Sequence, residues 1–342
     1  MTLRVAVIGA AGYVGGELLR LLATHPEVGE VRAVSRTHPG KRWGEVHPAF
    51  AFDRERVFTG DAPEVVAREA DVVFLALGHG ESSRVMPSIL ETRPRLVVDL
   101  GADFRLTDVA EYQKHYGEHP CFDLCTSFVY GLPEARRDAL KSATRVANPG
   151  CMATATQLAI LPLVATGLLP ERTAVFAITG SSGAGQTPKP TTHHPFRASN
   201  VFVYKPLAHQ HEAEINRLVG EVAGRNLGVR MIAHSGPFVR GIHAAVHVTS
   251  SDLSGRDIGA LYRDRYSGEP FVRVMDEPPH VAAVAGTNFA YVSVEQRGDE
   301  TLVTCVIDNL MKGAAGQALH NMNIALGLPE TTGLNAPGVF PY

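Results

Sequence analysis

The tetrapeptide Asn148-Pro149-Gly150-Cys151 stands directly before an apolar stretch, Ala153 to Leu163, with no helix breaker before Pro162. That spacing predicts a helix with a thiol in its first turn, where the helix dipole favours the thiolate, and a small Gly150 that leaves room for an incoming carbonyl. A lone cysteine is ordinarily an apolar filler of the core. The Asn-Pro-Gly lead-in at an expected domain junction is what points Cys151 toward nucleophilic chemistry. Such a nucleophile needs an acid/base, and His209-Gln210-His211, just ahead of Glu212-Ala213-Glu214-Ile215, presents two imidazoles at alternate positions near a helix start. The same His-x-His pattern also suits zinc or a His-bearing surface strand, but no third metal ligand stands at the usual spacing. His193-His194-Pro195 either lines the same site or is a loop pair without function. Gly180-Ser181-Ser182-Gly183-Ala184-Gly185 offers backbone N–H groups suited to a departing phosphate, or a flexible linker. Cys121, Cys125 and Cys305 sit in a tyrosine- and proline-bearing loop or a strand, with no basic partner visible, and read as structural.

A second set of residues suits a dinucleotide. Val5 to Ile8, then Gly9-Ala10-Ala11-Gly12-Tyr13-Val14-Gly15-Gly16, then Glu17-Leu18-Leu19 give a strand, a turn with glycine at every third position, and a helix start. Glycines let the backbone approach a pyrophosphate, and the helix N-terminus supplies N–H groups and partial positive charge. The spacing is GxxGxxG, not GxGxxG, so a tight packing turn without ligand is the competing reading. After the second strand stands Ser35-Arg36-Thr37, where an NAD-binding protein usually carries an acidic residue. A hydroxyl and a guanidinium suit the 2′-phosphate of NADP(H), although Arg36 also reads as an ordinary surface charge.

The elements that must position these residues follow from periodicity. Short β-branched runs at Val5–Ile8, Val31–Val34, Val72–Leu77 and Leu96–Leu100 alternate with helical stretches at Gly15–Thr24, Pro63–Glu69 and Ser82–Glu91, which argues a parallel sheet covered by helices. After Cys151 the texture changes to one apolar helix reaching about Ala165, strand-like alternation at Val201–Lys205 and Gly241–Thr249, a strand at Leu302–Ile307, and a closing amphipathic helix at Ala314–Leu326. The expected class is α/β: a doubly wound parallel dinucleotide-binding sheet plus an α+β domain. At 342 residues two domains are expected, and a hydrophobic fraction of 45% supplies surface for both cores. A net charge of -3 with 20% charged residues makes nucleic acid an unexpected partner. Four cysteines without CxxC spacing fit a reducing cytoplasm, the N-terminus reads as a first strand and not a signal peptide, and no run approaches the roughly 18 apolar residues of a membrane span.

Taken together the chain resembles the N-acyl-γ-glutamyl-phosphate reductase family, which includes the aminoadipyl-phosphate reductases of lysine synthesis. Beside the glycine turn, the thiol and the His pair, the resemblance is carried by Asp99-Leu100-Gly101-Ala102-Asp103-Phe104-Arg105-Leu106, Tyr130-Gly131-Leu132-Pro133-Glu134, Ser182-Gly183-Ala184-Gly185 and Ile307-Asp308-Asn309-Leu310-Met311-Lys312-Gly313-Ala314-Ala315-Gly316-Gln317. It implies that Cys151 is the nucleophile and that a histidine of the His209/His211 pair, His209 being favoured, is the acid/base. It implies an NADP-binding domain at 1–148 completed by about 313–342, and a catalytic and oligomerisation domain at 149–312 that forms a homodimer or homotetramer. Gly9, Ala11, Gly12, Tyr13, Val14, Gly15, Ser35, Arg36, Ser182, Gly183, Asn309 and Lys312 are the expected NADP(H) contacts, with Asn309 and the Lys312-Gly313 turn near the nicotinamide. Arg105, Asn148, Ser181, His193, His194, Arg197 and Arg240 are candidates for the substrate, the arginines for its carboxylate by bidentate pairing.

Met152 and Gln210 depart from the family pattern, where an aromatic and an arginine are usual; the former reshapes packing, whereas the latter removes a charge beside the substrate site and leaves the substituent on the substrate nitrogen open. The expected reaction is reduction of N-acetyl-γ-glutamyl phosphate, in arginine synthesis. The same chemistry on an N-succinyl substrate, or on a glutamyl or aminoadipyl phosphate held by an acidic amino-group carrier protein, is the alternative. Aspartate semialdehyde dehydrogenase shares the cysteine mechanism, and a dinucleotide sensor without catalysis would need the glycine turn alone.

Overall fold

The computed structural model describes residues 2–339. It divides into two compact units, the chain through Pro149 with Ala314–Asn335, and Gly150–Gly313 with the tail from Ala336. In the first unit the strands are Leu3–Ile8 (β1), Val28–Val34 (β2), Val72–Leu75 (β3), Leu96–Asp99 (β4), Val129–Tyr130 (β5) and Arg145–Ala147 (β6). They pair in parallel in the order β2-β1-β3-β4-β6-β5. Every residue of β3 and β4 is buried, which is why those runs are nearly continuous in Val and Leu with no polar alternation. β1 has β2 on one side and β3 on the other, so the crossovers diverge at its carboxyl end. In open α/β sheets that end is where ligands bind. The helix Tyr13–Leu22 follows directly and buries Leu18, Leu19, Leu21 and Leu22.

The closing helix of this unit is Gly316–Ala325, entered through a π-helical turn at Met311–Ala315. It is tied to the sheet by polar side chains: Gln317 Nε2 and Asn321 Nδ2 both donate to the Gly131 carbonyl, at 2.7 and 2.9 Å, and Asn321 Nδ2 also reaches Asn148 Oδ1 at 3.0 Å. The expected completion by about 313–342 differs from this grouping in its tail. Residues 336–339 group with the second unit, and 340–342 lie outside the described residues.

The second unit holds a mixed sheet of Arg172–Thr179 (β7), Phe202–Val203 (β8), Gly228–Ser235 (β9), Ile242–Thr249 (β10), Val272–Met275 (β11), Ala290–Arg297 (β12) and Glu300–Ile307 (β13), in the order β11-β12-β13-β10-β7-β9-β8. The helix Cys151–Ala165 packs on β10 and β13, and all of its residues from Met152 to Val164 are buried. On the other face of the sheet, Phe176 and Leu302 stay 47% and 39% exposed. Pro162 inside that helix cannot donate to the Leu158 carbonyl one turn earlier. Tyr266 Oη donates to it instead at 2.6 Å, and Tyr262 Oη donates to Ala159 O, also at 2.6 Å, so the helix continues through the proline without an orphaned carbonyl. No helix among the described residues is long and apolar enough to cross a membrane.

Candidate active site

Cys151 is the first residue of its helix, with Gly150 as an extended N-cap at φ −69° and ψ 147°. The Gly150 N–H donates to Glu214 Oε2 at 3.0 Å, while Glu214 Oε1 faces His211 Nε2 at 3.7 Å. His211 opens the helix His211–Ala223, and Glu214, three residues on, shares its face. Both pack so closely on the lead-in to Cys151 that a Cβ on Gly150 would lie 2.5 Å from His211 Nε2 and 2.6 Å from Glu214 Oε1. The approach from the other side is equally tight. Gly313, whose N–H donates to the Asp308 carbonyl at 2.9 Å in the π-helical turn, has room for no side chain because its Cβ would sit 2.7 Å from Cys151 Cβ.

The hydrogen bonds continue past His211. Its backbone N–H donates to His209 Nδ1 at 3.2 Å, so that nitrogen carries no proton; His209 Nε2, 3.3 Å from Tyr204 Oη, therefore carries it. Tyr204 in turn donates its hydroxyl proton to Met152 Sδ at 3.1 Å. Burial, with the charge of Cys151 near it, pushes the Tyr204 phenol well above its ordinary pKa. A circuit of contacts thus starts at Gly150 and ends at Met152, the two neighbours of Cys151, and passes through Glu214, His211, His209 and Tyr204. Tyr204 and Glu214 were not among the expected site residues, and Gly313 was expected only as part of the turn near the nicotinamide. Glu214 had a sequence signal in its three-residue spacing from His211, whereas the approach of Tyr204 and Gly313 is set by the tertiary fold.

The remaining expected residues of this unit separate. Arg197 is buried; its guanidinium meets Ser235 Oγ and, at 3.2 Å, the Thr179 carbonyl, its Nε has no hydrogen-bond partner, and no carboxylate among the described residues pairs with it. Burial lowers its pKa, and the nearby Tyr204 opposes that shift. Arg240, by contrast, gives Nε and Nη2 to the buried Asp308 at 2.8 and 3.1 Å. Ser182 Oγ donates to the Val239 carbonyl at 2.7 Å and accepts from Asn309 Nδ2 at 2.9 Å, and Asn309 Oδ1 accepts the Gly241 N–H at 2.7 Å. The glycine-serine stretch is therefore a braced turn around Ser181, Ser182 and Gly183, not a linker. Lys312 is fully buried above the Phe271 ring. His193 and His194 are exposed at the start of the short helix His194–Arg197.

In the first unit, Gly9 adopts φ +83° and a Cβ there would lie 2.4 Å from the Ala76 carbonyl oxygen, so the turn itself demands glycine. Gly12 is different. It caps the helix Tyr13–Leu22 at φ −76°, and a Cβ would meet only Gly9 O at 3.8 Å, an ordinary contact. Packing gives no reason for glycine at 12; an open cradle at a helix N-terminus does. Nothing among the described residues accepts from the Ala11 N–H, and Tyr13, Val14 and Gly15 begin the helix with first-turn N–H groups that have no intrahelical acceptor. These features fit a pyrophosphate. Ser35 is buried after β2, accepting the His38 N–H at 3.2 Å, and Arg36 extends into solvent to pair with Glu81. Arg105 is spent on backbone, giving Nε to the Asn148 carbonyl at 2.8 Å and Nη2 to the Leu100 carbonyl at 2.9 Å. The Asn148 side chain is likewise occupied, by Ala314 O and Asn321.

Comparison with known proteins agrees with this partition. Residues 4–143 match the family described as semialdehyde dehydrogenase, NAD binding domain, and residues 151–309 the one described as semialdehyde dehydrogenase, dimerisation domain. The chain is 42% identical to an N-acetyl-gamma-glutamyl-phosphate reductase of Methanopyrus kandleri over 98% of this chain and 99% of the relative. It is also 42% identical to the protein of that name from Desulforudis audaxviator, over 99% and 100%. Among solved structures, aspartate semialdehyde dehydrogenase II from Vibrio cholerae shares the fold with a TM-score of 0.73 at 18% identity, covering 95% of this chain and 98% of that one. With relatives of that identity along nearly its full length, the chain belongs to the N-acetyl-γ-glutamyl-phosphate reductase family of semialdehyde dehydrogenases.

Proposed function

We propose that this protein reduces N-acetyl-γ-glutamyl phosphate to N-acetylglutamate semialdehyde and inorganic phosphate, with NADPH as reductant and Cys151 as the covalent acceptor, in arginine synthesis. The observation that carries the reading is the contact circuit closing on both neighbours of Cys151. His211 accepts the thiol proton as sulfur attacks the acyl carbonyl. The carbon–oxygen bond to phosphate then breaks, and a thioester remains on Cys151. First-turn N–H groups of the Cys151 helix are suited to hold the oxyanion. NADPH, when bound, would supply the hydride for the thioester, leaving a thiohemiacetal oxyanion on Cys151. Collapse of that intermediate breaks the carbon–sulfur bond, and His211 returns the proton to sulfur.

The acid/base role goes to His211 and not to His209, which the sequence favoured. His211 has a carboxylate to orient it, as a general base requires, whereas both ring nitrogens of His209 are committed to His211 N–H and Tyr204. Gly9, Ala11, Gly12, Tyr13, Val14 and Gly15 would hold the pyrophosphate, and Ser35 and Arg36 the 2′-phosphate. Arg197, a buried guanidinium without an acidic partner, is the reader of the substrate α-carboxylate. Arg240 and Arg105 have their donors on the protein's own acceptors.

A small free substrate is favoured over one on an acidic carrier. Of His193, His194, Arg197 and Lys205, the cations that would receive a carrier, Arg197 is buried and the exposed Lys205 gives Nζ to Gln210 Oε1 at 2.6 Å, so the surface patch is reduced to that lysine and two imidazoles. A homo-oligomer formed through the second unit accords with its dimerisation-family match and its uncovered sheet face. The test is phosphate-dependent NADP reduction with N-acetylglutamate semialdehyde, with aspartate semialdehyde as control. Cys151→Ser should abolish turnover while NADPH binding persists. A variant retaining a tenth of the wild-type rate would rule out the covalent route.

A further inference from the structure

The turn Gly9–Gly12 is braced from behind by a side chain that lies outside the glycine motif. His47 follows the short helix Trp43–Val46, whose Trp43 is buried against Phe50 and Phe58 at ring-centroid distances of 5.3 and 6.4 Å. This anchored segment holds the His47 ring against Gly16 so closely that a Cβ on Gly16 would lie 2.8 Å from two ring atoms. His47 is itself buried, and its Nε2 lies 2.9 Å from the Ala10 carbonyl oxygen. A carbonyl accepts only, so Nε2 carries the proton and donates it.

In a trans peptide the carbonyl and the following N–H point in opposite directions. Fixing the Ala10 oxygen toward His47 therefore turns the Ala11 N–H away from His47, and nothing in the described chain accepts from it. Ala11 is buried, where an unused N–H is costly, and at the neighbouring Gly12 a Cβ would meet nothing closer than Gly9 O at 3.8 Å. We propose that His47 is a positioning residue for the cofactor: by holding the Ala10–Ala11 peptide plane it aims the Ala11 N–H at the pyrophosphate of the dinucleotide. Gly16 is glycine because the His47 ring occupies the place of its side chain. This inference rests on reading the glycine turn as the pyrophosphate site.

The test measures affinity in the full-length protein, by quenching of intrinsic fluorescence with NADPH and, separately, with 2′-AMP, a fragment that lacks the pyrophosphate. His47→Phe preserves ring bulk without the donor and should weaken NADPH at least tenfold while 2′-AMP changes less than twofold. His47→Gln, whose amide can donate to the same carbonyl, should recover NADPH affinity to within about threefold of wild type. Gly16→Ala leaves His47 in the chain but displaces its ring, so it should reproduce the NADPH-selective loss and covers the case in which His47→Phe does not fold. NADPH affinity unchanged in both His47→Phe and Gly16→Ala, or equal losses for NADPH and 2′-AMP, would overturn the proposal. Gly12→Asp separates the two levels, because a carboxylate in the cradle should abolish NADPH binding. If it does so while the His47 variants bind normally, only the role of His47 fails. If Gly12→Asp also binds normally, the reading of the glycine turn fails with it.

Discussion

Gly150→Ala isolates the geometry around Cys151. The backbone at Gly150, φ −69° and ψ 147°, is open to any L residue, so alanine brings no backbone strain. The whole perturbation is the methyl group, 2.5 Å from His211 Nε2 and 2.6 Å from Glu214 Oε1. Ordinary contact begins near 3.4 Å, so the imidazole must retreat by 3.4 − 2.5 = 0.9 Å and the carboxylate by 3.4 − 2.6 = 0.8 Å, or the helix start must move by a similar amount with Cys151 on it. The first adjustment stretches the Gly150 N–H bond to Glu214, and the second shifts the sulfur. A misplacement of about 1 Å costs on the order of a hundredfold in rate, and overpacking of this kind costs about 1–3 kcal/mol of stability. The assay is NADP reduction with N-acetylglutamate semialdehyde and phosphate, accompanied by NADPH titration and a thermal melt. We expect kcat to fall roughly a hundredfold with NADPH affinity unchanged. A folded variant whose kcat stays within threefold of wild type would refute the assignment of His211 and Glu214 to the reaction.

Two further outcomes follow from buried charges. Arg197→Met keeps the side-chain bulk and should raise KM for N-acetylglutamate semialdehyde ten- to hundredfold, from loss of a charge-assisted contact of about 1.5–3 kcal/mol. The α-decarboxylated analogue should show no such penalty, and equal effects on both compounds would remove Arg197 from carboxylate recognition. Asp99, at the end of β4, is fully buried, and that burial together with the charge of Asp103 raises its pKa from 3.8 to about 7. Between those values the native state keeps a proton that the unfolded chain has released, so this group's contribution to stability is lost as pH rises toward 7. Asp99→Asn should therefore raise Tm above pH 7, by up to about 4 kcal/mol in stability, with the gain closing near pH 4; a Tm difference independent of pH would refute this.

The first unit was largely legible because local signals and tertiary demands coincide there. Val5–Ile8, Val72–Leu75 and Leu96–Asp99 are apolar runs buried on both faces, and Ser82–Glu91 is the helix that its pattern indicates. The second unit was legible only in part. Val201–Lys205 shortens to Phe202–Val203, and strands β7, β9 and β12 were not anticipated although each spans eight residues. Their two-residue periodicity is real, as in the alternating exposure of Arg172–Thr179, but exposed positions such as Phe176 are filled by apolar residues, which blurs the alternation a reader looks for. At the candidate site, the thiol and the His pair stand out by residue type. Gly313 lies far along the chain and is brought to Cys151 by a π-helical turn that no local pattern announces. Tyr204 sits in a short irregular stretch, and its place at the site depends on the buried Met152 sulfur next to Cys151. Among the three arginines, type alone could not rank them; the acceptors each one already has, Asp308 for Arg240 and backbone carbonyls for Arg105, do so.

The tyrosines that serve the carbonyls around Pro162 bear on how the chain is made. Tyr262 and Tyr266 follow their acceptors by 103 and 108 residues. At a ribosomal pace of about 5–20 residues per second, the helix that carries Cys151 waits roughly 5–20 s between emerging and receiving those hydroxyls. During that interval Leu158 has no proline N–H to satisfy its carbonyl, and the thiol stands on an incomplete mount. Gly313, which closes the other side of Cys151, emerges later still. A nascent or truncated chain thus exposes the cysteine without its finished surroundings, and the reactive geometry is acquired only as the last part of the second unit is synthesised.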